Sequence, residues 1–332
     1  MITVIKATRL KKKLPLLFLA VAILMSACGR QVNTKIKAST NNNHKNTFKH
    51  IARIFSYDKN NKLNATLIDK QEKPGHTRER ILFSAGKDEK FYGFLAFPAK
   101  KSPPFPCILQ VHPLKGTKYD WWKNNNFIHG GNLTRRLLDS GFAVLALNSR
   151  FQRLLYPAKK RSGTNFGNSL EEQVDKKIQV IIKAVVNYRR ALDYLGTRKE
   201  IDISRTGIIG YSTGGLVAVY LTAIEKRIKT AAACVPPSIA NAVIFFNFNP
   251  DLLQGKIDKI DPLRFTPGLS KKNFLMLMGN NDNLCSKKEA GDFFKAIKGK
   301  KKNLIFFDCG HILPVGYVDK AVSWFREHLA NN

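Results

Sequence analysis

The stretch Thr206-Gly207-Ile208-Ile209-Gly210-Tyr211-Ser212-Thr213-Gly214-Gly215-Leu216-Val217-Ala218-Val219-Tyr220-Leu221 changes character halfway along. Its first part is a short apolar run of strand type, its last part is an apolar run long enough for a helix, and Gly210-x-Ser212-x-Gly214 lies between them. A strand that turns into a helix within a few residues leaves no room for side chains at the crossing, so glycines belong there. Such a turn holds the central serine in a strained conformation with Oγ raised above the sheet edge. The helix that follows directs free N–H groups and the positive end of its dipole at the same point. The five-residue pattern alone is cheap, and it carries weight here because a strand precedes it and a helix follows.

Working outward, short apolar runs alternate with longer periodic ones from residue 79 onward. Candidate strands are Ile81–Ser84, Phe91–Phe97, Cys107–His112, Phe142–Asn148, Thr206–Tyr211, Thr230–Val235, Phe274–Met278 and Leu304–Phe307. A long helix is expected to open at Ser169, with Glu172 completing a capping box. Val174, Ile178, Ile181, Val185, Tyr188, Leu192 and Leu195 then recur at steps of three and four and make one apolar face. Ser286 with Glu289 opens another helix, and Val318, Ala321, Val322, Phe325 and Leu329 mark the last. Two early strands able to pair as a hairpin, followed by strand and helix in alternation, predict an α/β fold: a mostly parallel sheet of about eight strands with helices on both faces.

A serine hydroxyl is a poor nucleophile at neutral pH and needs a base, which itself needs an orienting acid. Gly279-Asn280-Asn281-Asp282 follows one late strand and Asp308-Cys309-Gly310-His311 follows the next. Both loops belong at the carboxyl edge of a parallel sheet, the edge on which Ser212 lies. Asp308, Asp261 and Asp258 are further candidates for the acid, although Asp308 is too near His311 along the chain to reach its far nitrogen.

With Ser212, Asp282 and His311 in this order, residues 79–332 resemble the α/β-hydrolase superfamily, nearest its dienelactone-hydrolase-like and acetyl-esterase-like branches. The resemblance implies Ser212 as nucleophile, His311 as general base and then acid, and Asp282 as the group that fixes the His311 tautomer. It also implies an oxyanion hole made of the Thr213 amide and a second amide from the loop His112-Pro113-Leu114-Lys115-Gly116. Pro113 stands where relatives usually have glycine and has no N–H, so Leu114 becomes the second donor. His112 is expected to bond to the loop backbone. Asn148-Ser149-Arg150 is a second departure, since relatives often carry Asp there. The implied activity is hydrolysis of small carboxylic esters through an acyl-enzyme. A peptidase or amidase of the same fold, and a non-catalytic envelope binding protein on a hydrolase scaffold, are the alternatives.

Residues 235–270 are rich in aromatics (Phe245, Phe246, Phe248, Phe265) and form either a cap over the pocket or a segment packed on the body. Trp121-Trp122 either lines the pocket rim or covers a sheet end. Cys107 and Cys234 fall inside strands and read as small buried hydrophobes. Cys285 and Cys309 flank Asp282 and His311 and are expected to approach within disulfide reach. No zinc-type spacing, phosphate-binding loop or dinucleotide fingerprint is present, so no cofactor is implied.

The first 28 residues have a basic front (Lys6, Arg9, Lys11–Lys13), an apolar run from Leu14 to Leu24, then Met25-Ser26-Ala27-Cys28. That is the pattern of a secretory signal peptide, with an apolar run too short to span a bilayer. Small residues directly before a cysteine resemble the lipobox of bacterial lipoproteins. The resemblance implies removal of residues 1–27, lipidation of Cys28, and residence in the cell envelope, at the outer membrane facing the periplasm. Residues 28–48 are polar and asparagine-rich and read as a tether; residues 49–78 read as an N-terminal extension packed on the body. The 332-residue chain carries 56 Lys+Arg against 24 Asp+Glu, a net charge of +32, and loss of five positive charges with the leader leaves +27. That excess suits an anionic membrane surface. The basic runs Lys159-Lys160-Arg161 and Lys298–Lys302 lack interleaved aromatics, which argues against nucleic-acid binding.

Overall fold

The computed structural model describes residues 44–60, 63–84, 90–148, 170–239 and 254–330. Its strands are β1 (Asn64–Lys73), β2 (His76–Ser84), β3 (Lys90–Pro98), β4 (Phe105–Val111), β5 (Ala143–Leu147), β6 (Ile201–Tyr211), β7 (Ile228–Cys234), β8 (Asn273–Gly279) and β9 (Lys302–Phe307). They form one sheet in the order β1-β2-β3-β5-β4-β6-β7-β8-β9. β1, β2, β3 and β5 pair antiparallel, and from β5 through β4 to β9 every pairing is parallel. All eight strands expected from the sequence are present. The ninth, β1, lies inside the stretch read as an extension. Only Ala65 and Asp69 of β1 are even half-buried, so it shows no apolar alternation by which to recognise it. Lys70, Glu72 and Lys73 keep this edge strand charged, which discourages pairing with another chain.

The central strands are apolar on both faces because helices cover both. Successive strand residues point to opposite sides, so Ile208 enters one core and Ile209 the other. On the first side lie α3 (Leu170–Leu195), α4 (Thr213–Ile224) and α5 (Lys287–Ala296). α3 applies to the sheet the predicted face of Val174, Ile178, Ile181, Val185, Tyr188, Leu192 and Leu195, all buried. On the second side lie α2 (Gly130–Asp139), through Leu133, Leu137 and Leu138, and α6 (Tyr317–Leu329), through Val318, Ala321, Val322, Phe325 and Leu329. The Ser286–Glu289 capping box opens α5; Ser169 lies outside the described residues.

α4 is apolar all round and correspondingly buried all round. Its outer side meets Phe55, just after α1 (His44–Ala52), and Phe265, whose rings lie 5.3 and 5.0 Å from that of Tyr220. Residues 254–269, the second part of the aromatic-rich segment, therefore lie against α4, with Phe265 and Leu269 in the core. Phe245, Phe246 and Phe248 lie outside the described residues, as do Lys159, Lys160 and Arg161. Among the described residues no helix is long and apolar enough to cross a membrane.

The pairing register places the active edge. Val111 of β4 is level with Gly210 of β6, Tyr211 with Cys234 of β7, and Gly279 of β8 with Phe307 of β9. The loops after β4, β6, β8 and β9 thus leave the sheet along one rim.

Candidate active site

Ser212 stands between β6 and α4 with φ 55° and ψ −123°, a conformation that a side-chain-bearing residue adopts only under constraint. The constraint is visible. The Ser212 amide donates to the Cys234 carbonyl (2.8 Å), while its own carbonyl accepts from Gly215 (2.7 Å) as α4 begins. Glycines are obligatory on either side: a Cβ on Gly210 would lie 1.9 Å from the Gly214 oxygen, and one on Gly214 would lie 2.2 Å from the Val111 oxygen. The same close approach sets the start of α4 against the loop after β4.

Asp282 and His311 meet because their loops cross in contact. The Asn280 amide donates to the Phe307 carbonyl (2.8 Å) and the Asn281 amide to the Cys309 carbonyl (3.0 Å). A Cβ on Gly279 would lie 2.1 Å from the Gly310 oxygen, so the crossing also depends on glycine. His311 Nδ1 then lies 2.9 and 3.1 Å from the two carboxylate oxygens of Asp282, and His311 Nε2 lies 2.8 Å from Ser212 Oγ. The Asp282 side chain is wholly buried and also accepts from the Leu284 amide (2.8 Å), while 21% of the His311 side chain is exposed. The imidazole can therefore be reached from solvent and its orienting carboxylate cannot. Of the other acids considered, Asp261 instead caps a helical turn by accepting from Leu263 (2.9 Å).

The loop after β4 closes a turn from the Gly116 amide to the Pro113 carbonyl (2.8 Å). Neither the Leu114 amide within that turn nor the Thr213 amide at the head of α4 has a hydrogen-bond partner among the described residues. His112 is fully buried and its Nδ1 lies 2.7 Å from the Pro113 carbonyl, the backbone bond expected of it. Burial holds its pKa down to about 4, so the ring is neutral and Nδ1–H is the donor. Asn148, one of the sequence departures, accepts from the Lys118 amide (2.9 Å) and anchors the segment that follows the turn; Ser149 and Arg150 lie outside the described residues. Trp121 is buried and Trp122 stacks on His76, so both cover the sheet.

Cys107 and Cys234 are buried within β4 and β7 as expected. The disulfide expected between Cys285 and Cys309 is not formed, and both are free thiols. Cys285 packs into the core on one side of the sheet and Cys309 against the core on the other, so the sheet itself separates them. Among the described residues no group of three or more His, Cys, Asp or Glu is placed to hold a metal ion.

A parallel sheet flanked on both faces, with a strained serine after its central strand and a histidine and acid on later loops, defines an α/β-hydrolase. Residues 53–240, more than half of the chain, match the acetyl xylan esterase (AXE1) family, and the chain belongs to that family. It is 25% identical over 169 residues to YtaP of Bacillus subtilis (strain 168), a protein whose name describes it provisionally as a hydrolase; the match covers 48% of this chain and spans about half of that relative's length, 52%. Among solved structures, the acetyl xylan esterase of Paenibacillus sp. R4 is 16% identical with a TM-score of 0.64, covering 88% of this chain and 96% of that one. Acetyl xylan esterase 1 of Thermoanaerobacterium sp. JW/SL YS485 is 15% identical with a TM-score of 0.62, covering 87% and 94%. At these identities the structural likeness speaks for the shared fold.

Proposed function

We propose that this protein is a serine esterase that removes short acyl groups, acetyl foremost, from acylated carbohydrate by way of an acyl-enzyme. The observation that carries the reading is the continuous hydrogen-bonded line from Asp282 through His311 to Ser212. Family membership supports the acetyl and carbohydrate parts.

Ser212 Oγ attacks the ester carbonyl carbon as its proton passes to His311 Nε2. The carbonyl oxygen, now negative, takes hydrogen bonds from the Thr213 and Leu114 amides, which have no other partner among the described residues. As the tetrahedral species collapses, the bond to the alcohol oxygen breaks and His311 Nε2–H protonates the departing alcohol. Water then gives a proton to the same nitrogen and attacks the acyl carbon, and as the bond to Oγ breaks His311 Nε2–H passes that proton to Oγ, which frees the acid and restores Ser212. Asp282 stays ionised throughout, holding Nδ1–H and stabilising the imidazolium.

The site works at a membrane in this reading. Cleavage before Cys28 and its lipidation anchor the chain in the envelope, and the residues between Cys28 and α1 serve as the tether. It is shorter than the 28–48 read from the sequence, because His44–Ala52 is helical and Phe48 packs against Phe265. The remaining positive charge favours anionic lipid.

A fluorophosphonate probe and a p-nitrophenyl ester series, run beside aminoacyl amides and acetylated xylan, test the proposal. Labelling and acetate-ester turnover are expected in the wild type, with both absent in Ser212→Ala. Equal labelling of the two defeats the catalytic reading. Faster turnover of amides than of esters makes the protein a peptidase or amidase instead.

A further inference from the structure

We infer that Tyr211, the residue before the nucleophile, is the positioning residue that holds the His311 loop in register with Ser212. The inference rests on Ser212, Asp282 and His311 acting together as proposed above. Because successive residues of a strand point to opposite sides, Tyr211 turns into the second core while Ser212 faces the rim. Its ring is fully buried, edge-on to Phe127 (centroids 5.8 Å apart, 82°) and to Tyr317 (5.9 Å, 67°).

The hydroxyl reaches the loop after β9 and spans the residues that carry the imidazole. A phenol has one proton to give. It donates to the His311 carbonyl (3.2 Å) and accepts from the Leu313 amide (2.8 Å). Among the described residues these are the only hydrogen bonds made by the backbone of residues 310–313; the neighbouring ties, from Cys309 to Phe307 and from Tyr317 to Pro314, lie outside that stretch. Ile312, between the two bonded residues, is exposed and contributes little anchorage. Adjacent residues at the end of β6 therefore supply both the nucleophile and the clamp on its base. The strand end that raises Ser212 thus also ties the backbone on either side of Ile312, beside the imidazole whose Nε2 lies 2.8 Å from Ser212 Oγ. Burial raises the Tyr211 phenol well above the usual tyrosine range, so it remains a donor under working conditions.

Tyr211→Phe removes the oxygen and leaves the ring packing. Tyr220→Phe is its control: it too removes a buried phenol hydrogen bond to a backbone carbonyl, that of Ile260, on the opposite face of the sheet. Both variants are expected to lose stability to a similar extent. At a temperature well below both melting points, Tyr211→Phe is expected to lower kcat on p-nitrophenyl acetate by about tenfold or more, since displacement of a reacting group by an ångström can cost a hundredfold. KM should stay within about twofold, and the rate of fluorophosphonate labelling should fall in parallel with kcat. In protein labelled with ¹⁵N-histidine, the downfield proton of His311 Nδ1–H against Asp282 should broaden or vanish in Tyr211→Phe and persist in Tyr220→Phe. A Tyr211→Phe enzyme with wild-type kcat and an intact resonance overturns the inference, and so does an equal loss of kcat in both variants. Absence of Ser212-dependent turnover in the wild type would instead sink the esterase reading, and the resonance would still report on the clamp.

Discussion

A carboxylate with no exposed surface is costly to keep charged unless hydrogen bonds replace the lost water, and Asp282 has them from His311 and from the Leu284 amide. Asn at this position would offer Nδ1 an amide donor as well as an acceptor and so admit the wrong tautomer of His311. Asp282→Asn is expected to lower kcat on an aryl acetate by roughly 10³–10⁴-fold with little change in KM, as steady-state kinetics would show. His112 makes a different demand on pH. Its pKa falls from 6.5 in the unfolded chain to about 4 in the native one, so below pH 6.5 the unfolded state takes up a proton that the folded state refuses. The stability associated with its neutral ring is fully present above pH 6.5 and drains away as pH falls towards 4, by about 3 kcal/mol in all. Urea unfolding at pH 7, 5 and 4 should show the wild type losing that much relative to His112→Gln, in which the titration is gone. A gap between the two proteins that stays constant with pH would show that residue 112 does not titrate this way.

Among the elements, the joint between β6 and α4 and the crossing of the two late loops carry the site, and both are built on contacts that exclude a side chain. Gly279→Ala places a methyl group 2.1 Å from the Gly310 oxygen, and backbone has to move to admit it. The variant is expected to melt several degrees lower, because a strained core substitution costs about 1–3 kcal/mol. Its kcat should fall more than its KM rises, since the displaced loop is the one that carries His311. Calorimetry beside kinetics would check both; unchanged kcat in a destabilised protein would mean that the loops adjust without parting Asp282 from His311. β1 shows the opposite relation of element to sequence. Nine of its ten residues pair along β2, Ile68 standing out at a bulge, with almost no burial, so backbone hydrogen bonding and an available sheet edge form it, with no hydrophobic pattern to announce it.

At the scale of the whole molecule, charge is the feature the fold leaves unused. An excess of 32 positive charges is independent of topology and acts on whatever anionic surface the protein meets. Protein lacking residues 1–27 is expected to co-sediment with vesicles containing anionic phosphatidylglycerol at low ionic strength and to leave them as salt approaches about 0.5 M, where screening is short-ranged. Retention at high salt would point to apolar insertion, and no binding at any salt would leave the proposed lipidation of Cys28 as the sole route to a membrane. The reach of the sequence has a physical boundary here. Eight of the nine strands, the long helices and the order of Ser212, Asp282 and His311 were legible along the chain, because strand and helix periods and glycine turns are local properties. The placement of Cys285 and Cys309 on opposite sides of the sheet was not, since the face a side chain takes depends on how the loops after β8 and β9 leave the rim. Nor was the reach of the Tyr211 hydroxyl to residues a hundred positions away: a tyrosine before a serine looks like any core aromatic until the packing of β6 against the last loop shows which backbone groups it meets.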